Sequence, residues 1–273
     1  MQAVLAGETK LLERVIAAVK RVAAEEVMPR FLRVAHHRKA DGSLFTDADV
    51  AAQDALAGAL SEIRRLPVMG EEMSEAQQAQ CWSAGDSGLW CVDPIDGTSN
   101  FVNGVPYFAI SVALMQQGRS VLGVVYQPIG DEMFYAERGG GAYLNGQRLP
   151  LHATSAGLRG ALAGVDFKRV PTHLASALAA APPYASQRSF GAGTLEWCYA
   201  AAGRFDLYLH GGQKLWDYAA GWLIHAEAGG SACTFTHDEF WADELWQRSV
   251  IAARDPALFA QWRDWIRAHL GRP

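Results

Sequence analysis

The chain has 273 residues, of which 50% are hydrophobic and 19% charged, and its formal net charge is −5. That length can bury a sizeable core, as one large domain or two fused halves. The mixed, mildly acidic charge excludes a concentrated basic face for nucleic acid and a like-charged disordered tail, and no run of about 18 apolar residues is present to span a membrane. Glu8, Lys10 and Glu13 interrupt the N-terminal segment, so no secretory leader is expected. Cys81, Cys91, Cys198 and Cys233 make no C-x-x-C pair and sit beside apolar residues. They read as buried, reduced thiols of a cytoplasmic protein.

Leu12, Val15, Ile16, Val19 and Val22 recur at helical spacing, and Pro29 is expected to end that helix. A polar loop holds Lys39-Ala40-Asp41-Gly42-Ser43. A second helix is expected from near Thr46, through Leu56, Leu60 and Ile63, to Pro67. Leu89 to Val92 reads as a strand stopped by Asp93-Pro94. Strands are expected over Phe108 to Met115, Val121 to Tyr126 and Glu132 to Ala136, with Asn145-Gly146 as a closing turn. The second half alternates. Strands are expected at Ala161 to Val165, Tyr184 to Ser189, Phe205 to Leu209 and Ser249 to Ala252. Helices are expected at Thr172 to Ala180, Thr194 to Ala202, Asp217 to Ala228 and Pro256 to Leu270. This mixture implies a layered α/β or α+β architecture with its boundary near Pro150 to Gly157, dividing residues 1–150 from 151–273.

The most informative stretch is Trp90-Cys91-Val92-Asp93-Pro94-Ile95-Asp96-Gly97-Thr98-Ser99-Asn100-Phe101. It sets two carboxylates at a strand end, followed by the start of a short helix. Carboxylates sharing a cleft repel and raise each other's pKa, and a divalent cation removes that penalty. A helix N-terminus beside them can take a phosphate. Gly70-Glu71-Glu72, Thr46-Asp47-Ala48-Asp49 and Trp216-Asp217 supply further acids. An all-oxygen donor set favours Mg²⁺ over zinc.

In order and spacing, these segments resemble the inositol monophosphatase family of the lithium-sensitive, magnesium-dependent phosphatase superfamily. Trp216-Asp217-Tyr218-Ala219-Ala220-Gly221, leading to Glu227-Ala228-Gly229-Gly230, adds to the match, and D-P-I-D-G-T is its most specific part. The resemblance covers nearly the whole chain. It implies an α/β (α+β) fold, a layered α-β-α-β-α sandwich of the sugar-phosphatase type, usually as a homodimer. It implies Mg²⁺ ligands at Glu71, Asp93, Asp96 and Asp217, with the Ile95 carbonyl on a metal. Most ligands then fall in the first half, while the second contributes Asp217 and the substrate-side contacts. Gly97 and Thr98 would hold phosphate through backbone N–H groups, and Thr98 and Glu71, helped by Asp49, would orient the attacking water.

The activity so implied is hydrolysis of a small phosphate monoester, inositol monophosphate first, with no phosphoenzyme and with inhibition by lithium. No nucleic-acid or membrane partner is expected. Gly191, Ala192 and Gly193 align with the substrate-side loop, and His210 stands where the family often offers a glutamate to a sugar hydroxyl. Histidinol phosphate, fructose 1,6-bisphosphate and 3′,5′-bisphosphate nucleosides are alternative substrates, and a regulatory binding protein with this fold is an alternative of another class.

Several residues carry a plainer reading too. Thr46-x-x-Asp49 fits a capping box, Asp217 a helix-start acid, and Asp93 and Asp96 turn residues. Asp47 and Glu72 read as surface acids, His36-His37 as exposed, and the nine tryptophans as packing. The Lys39 to Ser43 loop either closes over the metals or is an ordinary turn, and Lys168 and Arg169 either reach a second anionic group or are surface charges.

Overall fold

The apolar spacing of the opening segment gives α1 (Gln2–Val22), which buries Val15, Val19 and Val22. A computed structural model describes this chain over residues 2–33, 36–38, 44–85, 87–154, 157–242 and 244–271. Pro29 does not end the helix cleanly. A π-helical turn, Ala23–Val27, and a 3₁₀ turn, Met28–Arg30, carry the chain on, with the proline in the first turn of the latter, where its missing N–H removes no bond. A short antiparallel pair follows, β1 (His36–Arg38) with β2 (Leu44–Thr46). Thr46 then caps α2 (Asp47–Ile63). The expected loop at Lys39 to Ser43 and the side chains of His36 and His37 lie outside the described residues.

The remaining elements form two sheets and their helices. In chain order they are β3 (Val68–Gly70), α3 (Glu75–Ser83), β4 (Leu89–Asp96), α4 (Thr98–Val102), β5 (Ala109–Gln116), β6 (Arg119–Gln127), β7 (Glu132–Glu137), β8 (Gly141–Leu144) and β9 (Gln147–Arg148). Next come β10 (Leu162–Asp166), α5 (Thr172–Ala180), β11 (Ser186–Arg188), α6 (Gly193–Ala202), β12 (Leu207–Gln213), α7 (Leu215–Glu227), β13 (Ser231–Cys233), β14 (Arg248–Ala253) and α8 (Pro256–His269). Strands β3 to β9 lie side by side in sequence order, and the second sheet runs β11-β10-β12-β14-β13. β3, β8, β9 and β13 escape sequence reading because two to four residues display no period. The helix α3 escapes because Gln77, Gln78 and Gln80 break its apolar stripe, although Ser74 and Gln77 form its capping box.

Alternation along the strands sets the layers. On β4 and β5, Trp90, Val92, Ile110, Val112 and Leu114 face one way, into a core shared with Val15 and Val19 of α1 and Ala52 and Leu56 of α2. Leu89, Cys91, Ala109, Ala113 and Met115 face the other way, against Leu195 and Trp197 of α6 and Leu223 and Ile224 of α7. Tyr208, Val250 and Ala252 of the second sheet close that same core, while Leu207, Leu209 and Ile251 turn outward onto Leu174 of α5 and Trp262 of α8. The order is therefore helices, seven-stranded sheet, helices, five-stranded sheet, helices. Trp90, Trp197 and Trp262 are fully buried packing residues, and the Trp262 indole N–H donates to the Tyr208 carbonyl at 3.1 Å. The four cysteines are unpaired and only Cys81 is not fully buried. Among the described residues, no helix is long and apolar enough to cross a membrane.

Small residues govern how the middle layer sits. A Cβ added at Gly123 on β6 would lie 2.9 Å from the Ala220 carbonyl oxygen, and one at Gly221 would lie 2.6 Å from Trp197 Cβ. Ala220 and Gly221 thus let α7 press on both the first sheet and α6. Glu227 at the end of α7 accepts the Gly139 and Gly141 amides at 2.8 and 2.9 Å, tying the helix to the β7–β8 turn. Gly211 on β12 meets another constraint, because its Cβ would stand 1.5 Å from the Arg169 carbonyl oxygen. Gly211→Ala should therefore lower stability by about 2 kcal/mol, as overpacking against backbone does. An unchanged urea midpoint would show that this contact relaxes freely.

Candidate active site

The two acids of the D-P-I-D segment reach one face through an irregularity in β4. Residues three apart on a regular strand point to opposite faces. Here Asp93 pairs with Ser111 and Asp96 with Ala109, so three steps on β4 oppose two on β5. The extra residue beside Pro94 turns both carboxylates toward the α6–α7 layer. Strand β4 accordingly runs on to Asp96 instead of stopping at Asp93. Asp93 Oδ1 accepts the Ile95 amide at 3.1 Å, and the Ile95 carbonyl accepts the Thr98 hydroxyl at 3.1 Å. Gly97 takes φ +88° and caps α4, the turn expected at this point.

Glu71 follows β3, which pairs parallel with β4. Its turn is clamped from two sides. Gln53 of α2 accepts the Glu72 amide at 3.0 Å, and Gln78 of α3 donates to the Gly70 carbonyl at 3.0 Å. A Cβ at Gly70 would fall 2.1 Å from Gln53 Oε1, so glycine is required for this clamp. Asp217 arrives from the opposite side, in the first turn of α7, where its Oδ2 accepts the Lys214 amide at 2.8 Å. Asp49 completes the expected capping box, accepting the Thr46 amide at 2.7 Å, and also lies 3.5 Å from the Thr98 hydroxyl. It stands behind Thr98 and does not line the cavity.

Glu71, Asp93, Ile95, Asp96, Gly97, Thr98 and Asp217 line one cavity of about 330 Å³. Of the loop triplet, Gly191 and Gly193 join them, while Ala192 is buried behind, its Cβ 3.1 Å from where a Gly97 Cβ would stand. Burial, then the charges of Glu71, Asp96 and Asp217, drive the Asp93 carboxyl well above its usual range. Asp217 is pushed up to about 8 by burial and by Asp96 and Glu71. Burial likewise lifts Asp96 to about 6 against the Thr194 hydrogen bonds, and Asp49 to about 7 against those of Thr46. Asp93 Oδ2 is buried with no hydrogen-bond partner among the described residues. An unpaired acid oxygen in an all-oxygen setting fits a hard divalent cation. The acids do not form a ready-made cluster of three metal-binding side chains among the described residues. Thr194 and the Lys214 amide each engage one oxygen of Asp96 and of Asp217.

Helix α6 and strand β12 supply walls that the motifs did not announce. Thr194 donates to Asp96 Oδ2 from its amide at 2.7 Å and its hydroxyl at 2.6 Å. Gln213 accepts the Trp197 indole N–H at 2.8 Å and fixes the floor under Gly193. Glu196, raised to about 8 by burial, accepts the Phe190 amide at 3.0 Å and so fixes the glycine loop. His210 lines the cavity, but its ring nitrogens are engaged within the chain. Nδ1 accepts the Gly212 amide at 3.1 Å, and Nε2 is 3.0 Å from Asp166 Oδ2. The tautomer follows: Nε2 carries the proton and donates to Asp166. Burial keeps His210 below its usual pKa. Burial also pulls Asp166 upward, yet His210 and the Lys168 amide outweigh it and hold the carboxyl below the usual range.

The inositol monophosphatase family model matches residues 7–267. The chain belongs to that family. A relative called Nus factor SuhB, from Pseudomonas aeruginosa, is 35% identical over 233 residues, 82% of this chain and 83% of that one. An inositol-1-monophosphatase from Caulobacter vibrioides is 33% identical over 238 residues, 85% of this chain and 90% of that one. The solved structure of a Thermotoga maritima IMPase superposes with a TM-score of 0.78 at 28% identity, covering 94% of this chain and 97% of that one. The family fold, two sheets within a mixed α/β sandwich, is the one found here.

Within this family fold, the motif residues Glu71, Asp93, Ile95, Asp96, Gly97, Thr98 and Asp217 line one cavity. Sequence reasoning missed Gln53, Gln78, Asp166, Thr194, Glu196 and Gln213. Each acts through another residue, and a lone Gln or Thr carries no spacing signal. The one available hint was Asp166, two residues before the Lys168-Arg169 pair.

Proposed function

We propose that the chain hydrolyses small phosphate monoesters with Mg²⁺, inositol monophosphate first among them. The reading rests above all on the buried, unpartnered Asp93 oxygen in a cavity that Glu71, Asp96 and Asp217 also line. These four carboxylates and the Ile95 carbonyl would hold Mg²⁺. Bound there, the cation neutralises phosphoryl oxygens and lowers the pKa of its water. The amides at Gly97 and Thr98 orient the phosphoryl group. Glu71 and the Thr98 hydroxyl, backed by Asp49, orient the attacking water, and the Glu71 carboxylate takes its proton. Positioning and electrostatics carry such a transfer, so no phosphoenzyme is expected. The cavity, about 330 Å³, suits a metabolite rather than a polymer end.

Phosphate release with Mg²⁺ from inositol monophosphate, histidinol phosphate, fructose 1,6-bisphosphate and a 3′,5′-bisphosphate nucleoside tests this directly. Release from at least one, abolished by EDTA, is expected, and silence across the panel would sink the proposal. Lithium inhibition and a homodimer in sedimentation belong to the same reading.

Thr194 offers a finer test, since its hydroxyl orients the Asp96 carboxylate. Thr194→Val should weaken Mg²⁺ binding about tenfold, the usual loss for a residue that orients a ligand. Calorimetric titration giving an unchanged Kd would count against Asp96 as a ligand. A partner-binding role is a second reading, supported by the relative called Nus factor SuhB. It would be favoured by a folded protein that turns over none of the panel yet retains a partner on pull-down.

A further inference from the structure

The short turn after β10, Phe167–Arg169, is more firmly held than a surface loop needs to be. Asp166 Oδ1 accepts the Lys168 amide at 2.9 Å, and His210 grips Asp166 Oδ2 at 3.0 Å. Gly211 lets β12 close onto the Arg169 carbonyl, where any side chain would collide. The Asp166 carboxylate, gripped by His210, and the close approach at Gly211 thus fix a turn whose two cationic residues, Lys168 and Arg169, line the acidic cavity.

Neutralising the acids would not require this. Lys168 makes no ion pair among the described residues. Arg169 Nε approaches Asp166 no closer than 3.8 Å, beyond hydrogen-bond length. Asp166 is meanwhile occupied by His210 and the Lys168 amide, so it competes little for either cation.

Resting on the phosphatase reading, we propose that Lys168 and Arg169 form a subsite for a second anionic group. The substrate is then a phosphate monoester that also carries a carboxylate or another phosphate. His210 is a positioning residue that sets the turn through Asp166 and does not itself touch the substrate.

Two matched pairs of probes test this: glycerol 3-phosphate against 3-phosphoglycerate, and fructose 1-phosphate against fructose 1,6-bisphosphate. With Mg²⁺ and the full chain, kcat/KM for the member with two anionic groups in at least one pair should exceed that of its partner by about tenfold, the scale of one charged hydrogen bond. Lys168→Met and Arg169→Met should each collapse that ratio through KM, and Lys168→Arg should restore it. His210→Phe should lower the ratio as well, by freeing Asp166 to pair with the cations. Ratios near one in the wild type, or ratios that the Met variants leave standing, overturn the subsite while the phosphatase reading survives on the turnover seen. No turnover of any probe while inositol monophosphate is hydrolysed overturns the subsite alone, and silence on inositol monophosphate as well overturns both.

Discussion

Asp93→Asn will remove turnover and at the same time make the metal-free protein more stable. The two effects have one origin. Asp93 is fully buried, its Oδ2 has no hydrogen-bond partner among the described residues, and burial with four neighbouring acids drives its carboxyl well above the usual range. A carboxyl raised in this way favours proton uptake on metal-free folding above its unfolded pKa, and that linkage costs stability. Asparagine has the same shape and no such linkage. The metal-free variant should be the more stable at pH 7.5, with a gain that shrinks as pH falls to the unfolded carboxyl's own pKa and is lost below it. With Mg²⁺ the order reverses. Removing the ligand charge should cut kcat/KM by at least about a thousandfold, the scale for losing a preorganised charge at a phosphoryl site. Phosphate release and thermal melts on one preparation read both. An active variant ends the assignment of Asp93, and an inactive one that melts lower has only been damaged.

The second large effect is the dependence of metal-free stability on pH. Asp217 and Glu196 are pushed up to about 8 and Asp49 to about 7, each by burial first. A carboxyl with a raised folded pKa binds more protons folded than unfolded, so stability falls as pH climbs from the unfolded value to the folded one. His225 works the other way. Burial depresses it to about 4, so protonation of its unfolded form removes stability as pH falls below about 6.5. Above that point His225 is neutral in both states. Between pH 6.5 and 8 the acids alone remain, and the metal-free protein should lose on the order of 3 kcal/mol, or roughly 6 °C in Tm. Asp217 keeps some contact with solvent, which holds the figure below the full sum. Saturating Mg²⁺ should recover the share due to Asp93, Asp96 and Asp217, so the Tm difference between Mg²⁺ and EDTA should widen with pH. A difference independent of pH, or none, means these acids do not bind the cation.

Much of the site was legible in the chain because its chemistry is local. D-P-I-D-G-T puts two acids, a proline and a glycine turn within six residues, and each type has a separate physical reason to be there. The Trp-Asp motif was legible through its match to the family, and the structure supplies its physical reasons. Ala220 and Gly221 mark a helix that must lie close to its neighbours, and Glu227 is required by the amides at Gly139 and Gly141. Thr46 and Asp49 announced a helix start and did form one. Long strands and helices showed their periods, whereas β3, β8, β9 and β13 were too short to do so.

The sequence by itself determined the acids of the D-P-I-D-G-T and Trp-Asp motifs, the longer helices and strands, and the family to which the chain belongs. It could not tell that Asp93 and Asp96 share a face, because spacing alone puts them on opposite sides and only pairing with Ser111 and Ala109 reveals the extra residue. Nor could it tell that the ring nitrogens of His210 are engaged within the chain, or that Gln53, Gln78 and Thr194 hold the acids from distant elements. Local propensity and periodicity act over a few residues and are written in the order of the chain. Hydrogen bonds and charge repulsion act over a few ångströms, and only the packing of α6 and α7 between two sheets brings residues nearly 100 positions apart within that reach.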